Sequence, residues 1–546
     1  MKRVKSAGRR RPPRVWNKRA VIVFAVICAA FAGLTVRLAD VMTGSLTDAA
    51  AAQDTGRIVL GQTRGCIYDR NGARLVNTGE RKLAAVLCCA ETLDAVNTLL
   101  GGTDELKDVY AGSVIAKATD TEVTEGRCAK NVRLVTRDGE GLCRHILGYT
   151  NGDGKGVCGI EAAFDTVLTQ AGGTLYAEVT LDAQGRALAG DGLTLRSDNY
   201  DSPAGLVLTV DCRVQRIAEE ALARSSITCG AVVVQDCRTG ELLACASVPT
   251  YDTNDLTPAL TDDDLPFLNR AVSAYPVGSV FKPFIAAAAL NAGRNPNDIY
   301  ECVGHTQVGA KEFRCFNGNA HGGETLNEAI INSCNCYFIE QGLSVGAENV
   351  INTCAAFGFG RKAELFPGDG SQKGNLPASE AITSGAQLAN LCFGQGELLV
   401  SPVQMAAAYS ALANGGTYYE PYILKELIDD SGKVYGYFKP ETEPYRVIEE
   451  ADCRRIGKCL YNNMIGGTGA GGRPANTTAA GKTATAQTGR YDENGTEQLC
   501  TWFAGYFPYT RPQYTVVVFN EKGRSASVDC APVFKEIAEE IMEMEK

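Results

Sequence analysis

The chain has 546 residues, too many for one ordinary domain, and a hydrophobic fraction of 45% that can fill sizeable cores. It carries 53 Lys and Arg against 63 Asp and Glu, a formal net charge of -10. Nine of those basic residues crowd into positions 1–19, where there is no acid, so the remainder is strongly acidic and offers no basic patch for nucleic acid.

The basic block runs straight into AVIVFAVICAAFAGLTV, Ala20–Val36, 17 residues without a charge, ended by Arg37 and Asp40. That is near the lower limit for a membrane-spanning helix, about 17–25 residues. The cations on one flank predict a cytoplasmic N-terminus and an exported remainder. A cleaved signal peptide is the rival reading, but no A-x-A pattern closes the segment and Arg37 is badly placed for cleavage. The start of the chain therefore divides into a cytoplasmic tail (1–19), a transmembrane anchor (20–36) and a juxtamembrane segment (37–56). The Ala-rich stretch of that last segment, up to Asp54, reads as a helix.

From 57 to about 200 come short strand-like runs, such as RIVLG and AAVLCCA, broken by Gly, Asn and Asp. SDNYDSPAG, 197–205, is a linker. Beyond it LVLTVD is a strand, and CRVQRIAEEALARS is an amphipathic helix with Val214, Ile217, Ala221 and Leu222 at helical spacing. GAVVVQDCRTGELLACASV reads as two strands about a turn at Thr239–Gly240. Near the end CTWFAGYFP and QYTVVVFN are strands, and APVFKEIAEEIMEM is a closing helix. Strands at both ends with helices between predict an α+β domain, 205–546, whose sheet joins distant parts of the chain.

There are 21 cysteines, an odd number, of which 20 follow the anchor. They are scattered, without the paired C-x-x-C of zinc sites, and the three histidines (His145, His305, His321) do not suggest a metal centre. Most read as small buried apolar residues, in keeping with a cell living without oxygen. Cys302 and Cys315, flanking a short Gly-containing turn, are the best disulfide candidates.

The stretch GSVFKPF, Gly278–Phe284, is the place where chemistry first shows. Pro283 is tolerated only in the first turn of a helix, so a helix through FIAAAAL must begin close to Ser279. Its first N–H groups have no partner inside the helix and favour negative charge. Lys282, three residues on, shares a face with Ser279. A serine is a weak nucleophile until a neighbouring base takes its proton, and a lysine is such a base when burial or nearby cations disfavour its charged form. A bare S-x-x-K is more often a helix cap beside a solvated lysine, so context decides.

The context is Ser333-Cys334-Asn335, after an apolar helical run, and then Lys482-Thr483-Ala484-Thr485. Serine–lysine, S-x-N and K-T in that order resemble the penicillin-recognising serine transferases. TVDCRVQRIAEEAL, TGELLACASVPTYDTN, FGQGELLVSPVQMAAAYSALANGG and TWFAGYFP sharpen the likeness to the penicillin-binding transpeptidases. TRGCIYDRNGARL and HILGYTNGDGKGVCGIEAAFDTVL resemble the non-catalytic pedestal module of the class B members. The likeness covers nearly all of the chain after the anchor. It implies a transpeptidase domain with an antiparallel sheet flanked by helices, behind a mostly β, dimerisation-like pedestal (57–200). Ser197-Asp198-Asn199 spells a β-lactamase motif, but it precedes the nucleophile and lies in the linker, so it reads as turn chemistry.

The resemblance implies these roles. Ser279 attacks the carbonyl between the two terminal D-alanines of a peptidoglycan stem peptide, and Lys282 accepts its proton. Ser333 relays a proton toward the leaving amine, with Lys482 holding the network and the substrate carboxylate. Asn335 binds the peptide backbone. The N–H groups of Ser279 and Thr485 form the oxyanion hole, and the Thr483 and Thr485 hydroxyls hold the carboxylate. No cofactor and no metal is implied; β-lactams are the expected covalent inhibitors and a polytopic SEDS-type polymerase the expected partner. Two departures stand out. Val277-Gly278 occupies the place of the family's Pro-Gly, and K-T-A that of K-T-G. The Ala484 methyl is expected to impose a modest penalty at the cleft, since Gly in such a strand often marks close approach. The alternative is a catalytically weak scaffold of a wall-synthesis complex.

Overall fold

A computed structural model describes residues 18–43, 55–101, 110–182, 184–491 and 495–546. The basic tail up to residue 17 and the Ala-rich stretch ending at Asp54 lie outside them. Helix α1, Lys18–Thr43, holds the apolar run, and its Lys18–Asp40 portion is the one helix among the described residues long and apolar enough to cross a membrane. An Arg37–Asp40 ion pair one turn apart (2.9 Å) lets the helix continue past the run read from sequence.

The chain folds into two compact units whose pieces interleave. The first comprises the residues to Gly61, Arg81–Leu134 and Thr174–Asp198; the second comprises Gln62–Glu80, Val135–Gly173 and Asn199–Lys546. In the first unit, Thr55–Gln62, Thr174–Thr180 and Leu193–Asp198 make one three-stranded sheet, and Val114–Ala118, Gly79–Leu87 and Ala129–Thr136 make another. RIVLG lies within the first of these strands, and AAVL of AAVLCCA ends another at Leu87. Ala84 and Val86, alternating inward, pack with Val96 and Leu99 of the helix Leu93–Leu100 in a small core of their own.

The second unit is built on a five-stranded antiparallel sheet. Its strands are β1 (Gly230–Asp236), β2 (Leu242–Val248), β3 (Ala480–Tyr491), β4 (Glu497–Phe507) and β5 (Tyr514–Gly523), in the order β2-β1-β5-β4-β3. The early hairpin thus pairs with the late meander, as the strand-rich ends predict. Both faces are covered, which is why β1 and β5 are apolar without alternation. Val232, Val234, Val516 and Val518 face helices α2 (Cys212–Arg224) and α7 (Ala531–Met544). Ala231, Val233, Val517 and Phe519 face the larger core, which holds α3 (Lys282–Asn291), α5 (Asn335–Ala356) and α6 (Pro402–Ala413), with the short α4 (Leu326–Ile331) leading into α5. β3 is the edge strand, so one side of it is open to a cleft.

Ser197 and Asp198 end a strand and Asn199 takes a left-handed turn conformation (φ 54°), outside the cleft, which fits turn chemistry for the decoy S-D-N. All 21 cysteines are free, and most are buried. The disulfide expected between Cys302 and Cys315 is not formed: the sulfurs stand 3.7 Å apart across the base of the hairpin His305–Val308/Lys311–Arg314.

Candidate active site

Ser279 lies in a single 3-10 turn, Gly278–Phe281, that runs directly into α3 with Pro283 in its first turn. The turn is held from three sides. Gly278 N–H donates to Gly394 O (2.8 Å), Trp502 Nε1 of β4 donates to Pro276 O (2.8 Å), and the Tyr409 hydroxyl of α6 donates to Val280 O (3.0 Å). Gly278 sits at φ 63°, where a side chain is strained, so the glycine before the serine is the part of the family's Pro-Gly that geometry demands. Gly394 approaches so closely that a Cβ there would stand 2.0 Å from Gly278 O.

Lys282 is fully buried, and its Nζ donates to Ser333 O (2.6 Å), Ser333 Oγ (3.1 Å) and Asn335 Oδ1 (2.7 Å). Asn335 in turn donates through Nδ2 to Arg314 O (2.9 Å). Burial pushes the Lys282 amine down to about 8. Ser333 holds its hydroxyl there from a left-handed backbone (φ 53°), an uncommon conformation for a non-glycine residue that is often found at functional sites. Cys334 caps α5, its sulfur accepting from Tyr337 N–H (3.4 Å).

Lys482 on β3 is also fully buried, and burial reinforced by the nearby Lys282 charge holds its pKa well below the ordinary lysine value. Its Nζ donates to Thr468 Oγ1 (3.0 Å) and Thr483 O (3.1 Å). Thr485 is exposed toward the cleft. Ala484 is buried, and a Cβ built on Gly278 would lie 3.4 Å from its methyl. The methyl therefore lies against the turn that carries Ser279.

Ser279, Ser333, Asn335, Thr483, Ala484 and Thr485 all line one cleft of about 1410 Å³, with the two lysine amines beneath its floor. The geometry thus gathers every residue singled out from the sequence. Among the described residues no hydrogen bond joins Ser279 Oγ to Lys282, nor Lys482 to Ser333; catalytic bonds of this kind are often long in a free enzyme. A serine beside two cations whose charged forms are disfavoured, facing an open strand edge, is an arrangement for acyl transfer. The sequence reading missed three participants. Thr468 anchors Lys482. Gly394 and Trp502 fix the nucleophile turn, and FGQG and TWF mark these two by resemblance only. It also read Cys302 and Cys315 as a disulfide pair and gave His321 no role, whereas these three and Cys334 converge behind the Ser333–Asn335 turn.

Residues 230–543 match the family model of the penicillin binding protein transpeptidase domain. Stage V sporulation protein D of Bacillus subtilis is 33% identical over 397 residues, covering 69% of this chain and 59% of that protein, so the match spans less than two thirds of that relative. The peptidoglycan D,D-transpeptidase MrdA of Escherichia coli is 26% identical over 618 residues, covering 96% of this chain and 94% of that one. Penicillin binding protein 3 of Mycobacterium tuberculosis, solved with aztreonam, has the same fold (TM-score 0.65, 24% identity, 90% of this chain and 97% of that chain). The chain belongs to the penicillin-binding protein transpeptidase family, among its class B members.

Proposed function

We propose that the chain is a membrane-anchored serine D,D-transpeptidase that cross-links peptidoglycan stem peptides. The observation that carries the reading is the buried Lys282 amine, bonded to both Ser333 and Asn335 and one helical turn from Ser279 on the cleft wall. Ser279 Oγ attacks the carbonyl carbon between the two terminal D-alanines, its proton passing to Lys282 Nζ. The oxyanion meets the N–H groups of Ser279 and Thr485, donors worth about 3–4 kcal/mol each in such sites. Collapse breaks the C–N bond, and the departing D-alanine amine takes a proton relayed through Ser333. The ester on Ser279 then passes to an amine of a neighbouring strand, restoring the hydroxyl. Asn335, Lys482 and the Thr483 and Thr485 hydroxyls hold the peptide backbone and carboxylate.

The N-terminus belongs in the cytoplasm and the cleft outside the membrane, residues 57–200 serve as a non-catalytic pedestal, and a SEDS-type polymerase is the partner. Support for these comes from the basic flank of α1 and from the class B resemblance. The experiment is covalent labelling of the full chain with a fluorescent penicillin, followed by mass spectrometry of the adduct. Labelling on Ser279, abolished by Ser279→Ala in a protein with unchanged melting, is the expected result. An adduct on another serine would overturn the assignment, and no labelling at all would favour a scaffold.

A further inference from the structure

The cleft continues past the catalytic residues, and the acyl-transfer scheme leaves that end of it unused. Thr483, Thr485 and Gln487 alternate along β3 and all line the cleft, as the two-residue period of a strand allows. Beyond Gln487 the strand bulges. Gln487 pairs with Leu499 and Arg490 with Gln498, so Thr488 and Gly489 have no residue of β4 opposite them. Glu497 pairs with Tyr491, yet its side chain reaches back along the hairpin to the bulge. Its Oε1 accepts from Gly489 N–H (3.1 Å) and its Oε2 from Gln487 Nε2 (3.1 Å). Among the described residues Glu497 is the only acid on the cleft wall. Arg490, on the same hairpin, pairs with Glu521 instead (3.8 Å), so no arginine neutralises the Glu497 carboxylate.

β3 is an edge strand, so an extended peptide can add to it by backbone pairing. On the proposed function, which this inference assumes, the substrate carboxylate lies by Lys482, Thr483 and Thr485, and the reacting carbonyl meets the Thr485 N–H. The stem then runs back along β3 toward Gln487, advancing about 3.3 Å per residue. The residue just ahead of the two D-alanines falls beside Ala486 and Gln487, within the reach of one long side chain from the Glu497 carboxylate. That stem carries an amine of its own. The acceptor in the same reaction is an amine of a neighbouring strand, and the two strands are the same polymer. An alkylammonium side chain finds a carboxylate here for its head. For its methylenes it finds Leu499, half-buried, opposite Gln487 and on the cleft wall.

We propose that Glu497 is a specificity residue that holds, as an ammonium, the free side-chain amine of the stem peptide being acylated onto Ser279. Gln487 and Gly489 aim the carboxylate, and each of its oxygens keeps a lone pair for the amine. The pairing separates two kinds of donor. A stem whose amine is still free presents a cation to Glu497. A stem whose amine has already been joined to another strand presents an amide, which has lost the charge and adds bulk in front of the carboxylate. The enzyme thereby favours stems not yet used as acceptors. If Glu497 served only to fill the bulge, a neutral amide at that position would serve as well, because its oxygen also accepts from Gly489 N–H. Charge therefore distinguishes the two roles.

The test uses the full chain purified in detergent and two penicillins whose ring amino group carries Nα-acetyl-lysine, one with its ε-amine free and the other with that amine acetylated. The acyl side chain of a penicillin takes the place of the stem residue ahead of the D-alanines, so the pair differs only at the head that faces Glu497. The free amine should acylate wild type about tenfold faster, the size of one hydrogen bond to a charged group. In Glu497→Gln the two penicillins should react at rates within about twofold of each other. The first comparison is read on unaltered protein, so the proposal does not hang on a variant that misfolds. Equal rates on wild type, or a preference that survives Glu497→Gln, would overturn the role of Glu497 while leaving Ser279 as the nucleophile. Labelling by neither penicillin would overturn the transpeptidase reading, and this assignment with it.

Discussion

At the scale of single residues, two side chains decide how the cleft works. Lys282 is buried, and its amine bonds only to neutral acceptors. The charged or titratable groups around it are Lys482, Glu324 and the thiols of Cys334, Cys315 and Cys336. Burial dominates and brings its pKa from the ordinary 10.5 to about 8. Below that value the amine keeps its proton and cannot accept one from Ser279; above it the base is free. Acylation by a penicillin should therefore fall about tenfold for each unit of pH below about 8 and level off above it. A flat profile across that range would remove Lys282 as the base. The second residue is Ala484. Its methyl packs against the Gly278 turn at the wall of the cleft, so Ala484→Gly takes packing from beside the nucleophile while leaving the lysine and both threonines in place. The expected result is a change in acylation smaller than about tenfold, together with a loss of about 0.5–1 kcal/mol in stability from the glycine in a strand. A gain of a hundredfold would mean that the methyl obstructs the ligand after all.

At the scale of elements, the segment Thr63–Leu75 shows how sequence order and packing part company. Cys66–Tyr68 pairs in parallel with Gly205–Leu208, so a piece of the expected pedestal is a strand of the second unit. Asp69, fully buried, accepts from Asn71 N (2.8 Å), Ala73 N (2.8 Å) and Cys212 N at the start of α2 (3.1 Å). Asp69→Ala leaves those donors to find water or nothing, which costs about 1–3 kcal/mol. The full chain should melt several degrees lower; an unchanged melting temperature would show that these Asp69 bonds carry no stability. The same contrast explains what could be read in advance. Ser279 and Lys282 were legible because one helical turn joins them. β4, β5 and α7 were legible because each is a long apolar or amphipathic run, and α7 begins and ends where its sequence pattern does, whereas β3 was marked only by its K-T motif. The interleaved units were not, since pairing such as Ile67 with Leu206 leaves no local signal. Nor was the Cys302, Cys315, His321 and Cys334 cluster, because a hairpin and an irregular loop set its spacing in place of a short fixed repeat.

At the scale of the whole molecule, the charge distribution and α1 together predict a topology. The only helix among the described residues suited to cross a membrane lies at the N-terminal end, and the nine cations of positions 1–19 stand on its N-terminal side. Flanking Lys and Arg resist translocation, while a long C-terminal domain is exported largely regardless of its own charge. The acidic excess of the remainder therefore does not oppose export. With Arg37 and Asp40 paired, the C-terminal flank offers little net positive charge to compete for the cytoplasmic side. The exported portion should then include the Ser279 cleft, where its wall substrate would be. The measurement is protease treatment of intact protoplasts carrying the chain tagged at both ends. Loss of the C-terminal tag with protection of the N-terminal one is the expected outcome, and a penicillin that does not cross membranes should label the same cells before digestion. Protection of the C-terminal tag would overturn the orientation, and with it the proposal of an enzyme working on the cell wall.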